Sequence, residues 1–285
     1  MSRFLPMEKL TPVHFPKSKI KLKTAFSFMK RLLIIKYKEV FRMKSFIPWV
    51  GGKSLLAKKI VEQFPDDIDR YIEVFGGGGS VLFYKENHAK LEVYNDFNSC
   101  LVNLFRCVKY HRAELQREIS GYFNSREIFD EIKEKMKISG FTDIQRAAMF
   151  YVQIKISYGS DTRTFGCNRK NLSPDYLEQV EKRLEKVVIE NNDFENLIKV
   201  YDRPKALFYC DPPYHKTEDF YDAVFTEADH ERLKAILSGI KGHFVLSYND
   251  DEYIRELYRD FEIIPVERQN NLSRGIYKEL IIKNF

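Results

Sequence analysis

Short apolar runs alternate with amphipathic stretches along most of the chain, and the two periods predict different elements. Apolar runs of four to six residues bounded by turn signals read as strands. They fall at 71–75, 91–94, 187–190, 206–210, 244–247, 261–266 and 279–282. Elsewhere apolar residues return every three or four positions, the period of a helix face. Such faces run through 97–110 (Leu101, Leu104, Phe105, Val108), then Leu115/Ile119, Ile128/Ile132 and Ala147/Tyr151/Ile154, and later 226–237. Ser173-Pro174 predicts the start of a helix reaching 186, and 80–86 resumes a helical pattern after a run of glycines. Strands alternating with helices on either side of a purely helical block predict an α/β fold. The expected architecture is a mostly parallel sheet formed by 43–110 and 173–285, with a helical insertion at 111–172.

Composition changes this picture in one respect. The 285 residues carry a net charge of +6, but residues 1–42 hold eleven Lys/Arg against Glu8 and Glu39, so the remainder is acidic by three charges. Affinity for a polyanion must therefore come from a local patch. Pro6, Pro12 and Pro16 interrupt the extension, and its Lys-rich part has no amphipathic rhythm. It reads as a basic arm, an Arg-poor presequence, or upstream sequence the working protein does not need; the last is the expectation, since Met43 opens a freshly patterned segment. Cys100, Cys107, Cys167 and Cys210 form no C-x-x-C pair and suggest neither metal site nor disulfide framework, as in a reduced cytoplasmic protein. No apolar run approaches the roughly 18 residues of a membrane span.

The chemistry gathers at predicted strand ends. Asp211-Pro212-Pro213-Tyr214 follows the apolar run 206–210. Two prolines stiffen the loop and leave carbonyls without local partners. A carboxylate, a free carbonyl and an aromatic plane suit a flat ring bearing an amino group. Gly76-Gly77-Gly78-Gly79 follows the strand 71–75, and Asp96 lies 21 positions beyond Phe75. Strand, glycine turn and a later acidic residue match the way nucleotide-binding α/β folds admit a ligand and hold its ribose hydroxyls. Asn191-Asn192-Asp193-Phe194 ends a further strand. Gly51-Gly52-Lys53 reads as a loop entering a helix, with backbone N–H groups able to hold an anion. The 158–171 segment is a polar loop whose Arg163, Asn168, Arg169 and Lys170 are of the types that meet base edges and phosphates. Asn270, Asn271 and Arg274 sit in another polar loop, either a substrate contact or a surface turn. Ser247-Tyr248-Asn249-Asp250 is expected to line the same crevice, and His215 to face solvent or support the loop.

Taken together, Trp49-Val50-Gly51-Gly52-Lys53, Phe75 with Gly76 to Gly79, Asn95-Asp96, Asn192-Asp193-Phe194 and Asp211-Pro212-Pro213-Tyr214 resemble the ordered motifs of Dam-type (D12 class) DNA adenine N6-methyltransferases. The resemblance covers about 44–285. It departs at Glu73-Val74-Phe75, where the family usually has Glu-Pro-Phe, and at 158–171, whose sequence is its own. It implies a Rossmann-like sheet dependent on S-adenosylmethionine, with 111–172 as the target-recognition region and double-stranded DNA as partner. It also implies roles. Trp49, Lys53, Phe75, Gly76, Gly77, Gly78, Asp96, Asp193, Phe194 and Asp211 would meet the cofactor. Asp211, Pro212 and Tyr214 would serve the target base, and Arg163, Asn168, Arg169, Lys170 and Arg274 would touch DNA. No metal is implied; a cognate restriction endonuclease is a candidate partner. Cytosine C5 chemistry would require a Pro-Cys nucleophile, which the sequence lacks. An RNA adenine methyltransferase and a non-catalytic nucleic-acid-binding protein on the same fold stay open as alternatives.

Overall fold

Seven strands form one sheet in the order β3-β2-β1-β4-β5-β7-β6. The computed structural model describes residues 43–167, 172–216, 225–269 and 276–285, so the basic extension lies outside the described residues. The strands are β1 (Arg70–Glu73), β2 (Leu91–Asn95), β3 (Val187–Glu190), β4 (Ala206–Cys210), β5 (His243–Asn249), β6 (Glu262–Gln269) and β7 (Ile276–Lys283). Strands β1 to β5 pair in parallel, whereas β7 runs antiparallel between β5 and β6. The mostly parallel α/β fold read from the alternation is thus the fold observed.

Successive strand residues face opposite sides, and each side carries a core. Tyr71, Tyr94, Leu207 and Tyr209 face one cluster; Ile72, Val93, Phe208 and Phe244 face the other. All five residues of β4 are buried, as expected of a parallel strand covered on both faces. The first face is covered by α1 (Ala57–Val61), α2 (Ser99–Tyr110), α3 (Arg112–Ser120), α4 (Arg126–Lys135), α5 (Asp143–Ile156) and α6 (Leu177–Leu184). The second takes α7 (Phe194–Tyr201), α8 (Glu227–Ser238) and α9 (Glu252–Leu257). The helices of the 111–156 block bury Leu115, Ile119, Phe129 and Ile132 in the same core as α2. Helix α5 is buried along most of its length and opens on a Thr142/Gln145 capping box.

Two local expectations differ from the structure, and two short helices were not expected. Residues 80–86 hold only one 3₁₀ turn, Leu82–Tyr84, because Val81, Leu82 and Phe83 are consecutively buried and suit no single helix face. The helix expected at Pro174 begins at Leu177, after a turn closed by the Leu177 N–H on the Pro174 carbonyl. Helices α7 and α9, of eight and six residues, are too short to announce themselves by periodicity.

One buried ion pair ties these parts together. Arg183 of α6 donates to both carboxylate oxygens of Glu92 on β2, at 2.7 and 2.8 Å, and to the carbonyls of Leu82 and Lys85. The His88 N–H also donates to Glu92. The pair is satisfied on both sides, so it offsets its own desolvation; losing one partner leaves a bare buried charge. Arg183→Met should therefore destabilise the chain by about 3–5 kcal/mol, whereas joint replacement with Glu92→Leu should cost much less. Urea denaturation midpoints of the three proteins measure this, and equal losses for single and double variants would refute it.

Candidate active site

The carboxyl ends of β1, β2, β3 and β4 open on one cavity of about 540 Å³. That lies within the roughly 300–1,000 Å³ of small-molecule and cofactor sites, and at the sheet edge where open α/β folds bind ligands.

The end of β2 organises the floor. Tyr94 donates its hydroxyl to the Gly77 carbonyl at 2.7 Å, and Asp96 Oδ2 accepts the Gly77 N–H at 2.8 Å. Asn95 Nδ2 donates to the Val74 carbonyl and, at 3.1 Å, to that of Asn192, while its Oδ1 accepts the Asn192 N–H. A Cβ at Gly76 would stand 2.2 Å from the Tyr94 ring, so only glycine lets the turn lie on that tyrosine. Gly77 has φ of +50° with Trp49 against it, a conformation an L side chain rarely adopts. The four-glycine run is thus a fixed turn rather than a flexible connector. Burial raises the Asp96 carboxyl above its ordinary value, against the backbone N–H groups of Asn98, Gly77 and Phe97.

At the end of β3, Asp193 caps α7 by accepting the Glu195 N–H at 3.0 Å. Its other oxygen meets the Arg232 guanidinium, which lies 4.2 Å from the centroid of the Phe194 ring. Phe75, Phe194 and Phe225 pack mutually with centroids 5.6 to 5.8 Å apart. All of these line the cavity, and neither Arg232 nor Phe225 was anticipated. Arg232 reads in the sequence as one polar residue of an amphipathic helix.

At the end of β4, Asp211 Oδ2 meets Lys53 Nζ at 2.8 Å, and Oδ1 accepts from Ser247 Oγ at 2.8 Å. Lys53 is buried and also donates to the Gly51 carbonyl, so its ammonium is committed to the protein. Ser247, from the segment expected to line the crevice, contacts Tyr209 OH as well. Burial raises the Asp211 carboxyl above its ordinary value, while Lys53 and Ser247 act against that rise. Pro213 lines the cavity and Pro212 is buried. The Tyr214 ring lies beside Lys53, 4.7 Å from Nζ, with its hydroxyl on Glu279. His215 is buried and paired with Asp251.

The cavity therefore brings together Trp49, Lys53, Phe75, Gly76, Gly77, Gly78, Asp96, Asp193, Phe194 and Asp211. It also includes Ser160, Asp161 and Thr162 from the polar loop. Arg163 is exposed and outside the lining. Asn168, Arg169, Lys170, Asn270, Asn271 and Arg274 lie outside the described residues. No group of His, Cys, Asp or Glu among the described residues has metal-binding geometry, and none of their helices is long and apolar enough to cross a membrane.

Glu73, at the end of β1, also lines the cavity. Its Oε2 accepts from Tyr71 OH at 2.7 Å. Burial, joined by the charge of Asp211, pushes its carboxyl up from 4.5 to about 8 against hydrogen bonds from Tyr71 and Leu82. Between those values the folded chain holds a proton that the unfolded chain has lost, so stability falls as pH rises through the window. Glu73→Gln stays neutral throughout. Its Tm should decline less than the parent's between about pH 5.5 and about pH 8.5, and parallel declines would remove the assignment.

Comparison with known proteins agrees with this geometry. The chain is 27% identical over 282 residues to a Type II methyltransferase, M1.LlaDCHI, of Lactococcus lactis subsp. cremoris, spanning 87% of this chain and 98% of that one. It is 30% identical over 292 residues to the Type II methyltransferase M.MjaIII of Methanocaldococcus jannaschii, over 85% and 99% of the two chains. A DNA adenine methylase of Haemophilus influenzae shares 23% identity over 86% of this chain and 93% of its own. Residues 49–272 match the model of the D12 class N6 adenine-specific DNA methyltransferases, and the chain belongs to that family.

Proposed function

We propose that this chain transfers a methyl group from S-adenosylmethionine to the N6 amino group of a flipped-out adenine in a specific double-stranded DNA site. The observation that carries the reading is the position of Asp211. It stands at the wall of a cavity that elsewhere offers carboxylates and packed aromatic rings, with one oxygen on Lys53 and the other on Ser247.

The lining fits a cationic adenosine with an amino-acid tail. Asp96 would hold the ribose hydroxyls and Asp193 the adenine amino group, with Phe194 and Phe75 against the ring. Trp49 and the Gly76, Gly77 and Gly78 backbone would flank the methionine part. Lys53 is read here as the partner of Asp211 rather than as a cofactor contact. The cofactor supplies an electrophilic methyl group on a sulfonium.

Adenine N6 is a poor nucleophile because its lone pair is delocalised into the ring. Two acceptors, Asp211 and the Pro212 carbonyl, would each take one N–H and draw the nitrogen toward tetrahedral geometry, with its lone pair facing the cavity. Positioning then provides most of the rate. Transfer would leave a neutral thioether and a cationic, strongly acidic N6. That group would pass its proton by way of Asp211 to solvent, so a carboxylate paired with Lys53 need not be a strong base. Leaving the duplex costs the target base a few kcal/mol. Stacking on Tyr214, worth roughly 1–3 kcal/mol, offsets part of it.

We assign target recognition to 111–172, with Arg163, Asn168, Arg169, Lys170 and Arg274 as DNA contacts. The Type II relatives support a cognate restriction endonuclease as partner, with the pair acting in the cytoplasm. Incubation with labelled S-adenosylmethionine and either DNA or RNA, followed by digestion, should yield N6-methyladenosine's deoxy form from duplex DNA alone. Label on RNA only, on cytosine, or nowhere would overturn the reading. Asp211→Ala should lose at least about a hundredfold in single-turnover rate while binding the cofactor normally; a wild-type rate would remove its role.

A further inference from the structure

Glu279 belongs neither to the cofactor cavity nor to any motif singled out in the sequence, yet this carboxylate is only 1% exposed in the middle of β7. A buried charge requires compensation. Arg268 on the adjacent strand β6 supplies it through an ion pair to Oε1. The second oxygen accepts the Tyr214 hydroxyl at 2.8 Å. The Tyr214 hydroxyl is thus held by Glu279, while its ring lies under the Lys53 ammonium, 4.7 Å from the centroid, and packs against Tyr248 at 6.0 Å. Lys53 in turn binds Asp211 at 2.8 Å. The edge hairpin β6–β7 is joined in this way to the loop after β4.

We propose that Glu279 is a positioning residue for methyl transfer. It fixes the Tyr214 ring in the plane in which it stacks on the target base, and through the Tyr214–Lys53 contact it steadies Asp211. The proposal rests on the assignment of Tyr214 as the base platform. A tyrosine ring turns about two side-chain torsions, and a hydrogen bond to a carboxylate that is itself paired with a guanidinium is directional and strong. A platform locked by such a partner loses little order when a base arrives. Arg268 holds Glu279 on the sheet through their ion pair, so the ring is referred to the paired strands β6 and β7.

The test uses the full chain with S-adenosylmethionine and a duplex carrying either adenine or 2-aminopurine at the target position. Tyr214→Phe deletes only the hydroxyl and leaves the Glu279–Arg268 pair intact, so folding is not at issue. It should lower the single-turnover rate about tenfold. It should also raise the fluorescence of the flipped 2-aminopurine, whose stacking partner is no longer fixed, with cofactor Kd unchanged. Glu279→Ala should do the same, Glu279→Gln should restore part of the rate, and Tyr214→Phe/Glu279→Ala should be no worse than either single variant. Parental rate and fluorescence in Tyr214→Phe would overturn the proposal, as would a double variant whose loss is the product of the two single losses. A parent chain that methylates no DNA adenine would instead overturn the functional reading. Tyr214→Ala inactive beside a normal Tyr214→Phe would leave Tyr214 as the platform and remove Glu279 from its positioning.

Discussion

Parallel strands that stop at one edge of a sheet leave backbone groups there without ladder partners, and buried ones must be satisfied. Here β2 resolves that constraint for its neighbours. Its last residues, Tyr94 and Asn95, together with Asp96, bind the Gly77 carbonyl, the Val74 carbonyl, the Asn192 backbone and the Gly77 N–H. Those bonds hold the loops after β1 and β3 at fixed positions relative to each other. The cavity is the space left between loops that cannot collapse together. At the amino end of β2, Arg183 and Glu92 clamp the 82–88 segment that follows the glycine turn. The site is stiff because the residues that would bind ligand are also the residues that close the sheet.

This coupling explains why so much of the cavity lining was legible in the sequence. A glycine against Tyr94, an acid at a strand end and an Asp that caps a helix are demanded by local backbone geometry. They therefore appear as fixed residue types at fixed spacing. What escaped notice reaches the site across the fold: Arg232 comes from a helix face and Phe225 from a connection, and neither has a local sequence signal. Ser247 was expected in the crevice, but its bond to Asp211 comes from the neighbouring strand β5. The 80–86 segment misled for a related reason, since an unbroken apolar run gives no period when every side chain is buried.

The polar loop after α5 follows different rules. Ser160 and Thr162 take positive φ of 65° and 59°, and Asp161 Oδ1 accepts the N–H groups of both Arg163 and Thr164. Gln153 of α5 holds the Thr162 carbonyl, and Lys133 of α4 that of Arg163. The described part of the loop, 158–167, takes its shape from these bonds and from helices α4 and α5. Its polar residues Asp161 and Thr162 nevertheless line the same cavity as the strand ends.

The Asp211 environment completes the logic of the chemistry. An unpaired carboxylate this buried would favour its neutral form, and a neutral acid is a poorer acceptor for an amine. Lys53 opposes that shift, while Ser247 fills one lone pair and orients the carboxyl plane. A carboxylate has about four acceptor positions, so two bonds to the protein leave capacity for one N–H of a target base. The neighbouring Glu73, pushed up to about 8, adds no second negative charge at neutral pH. Asp211 is therefore oriented and only partly occupied. That arrangement suits the acceptor role proposed for it.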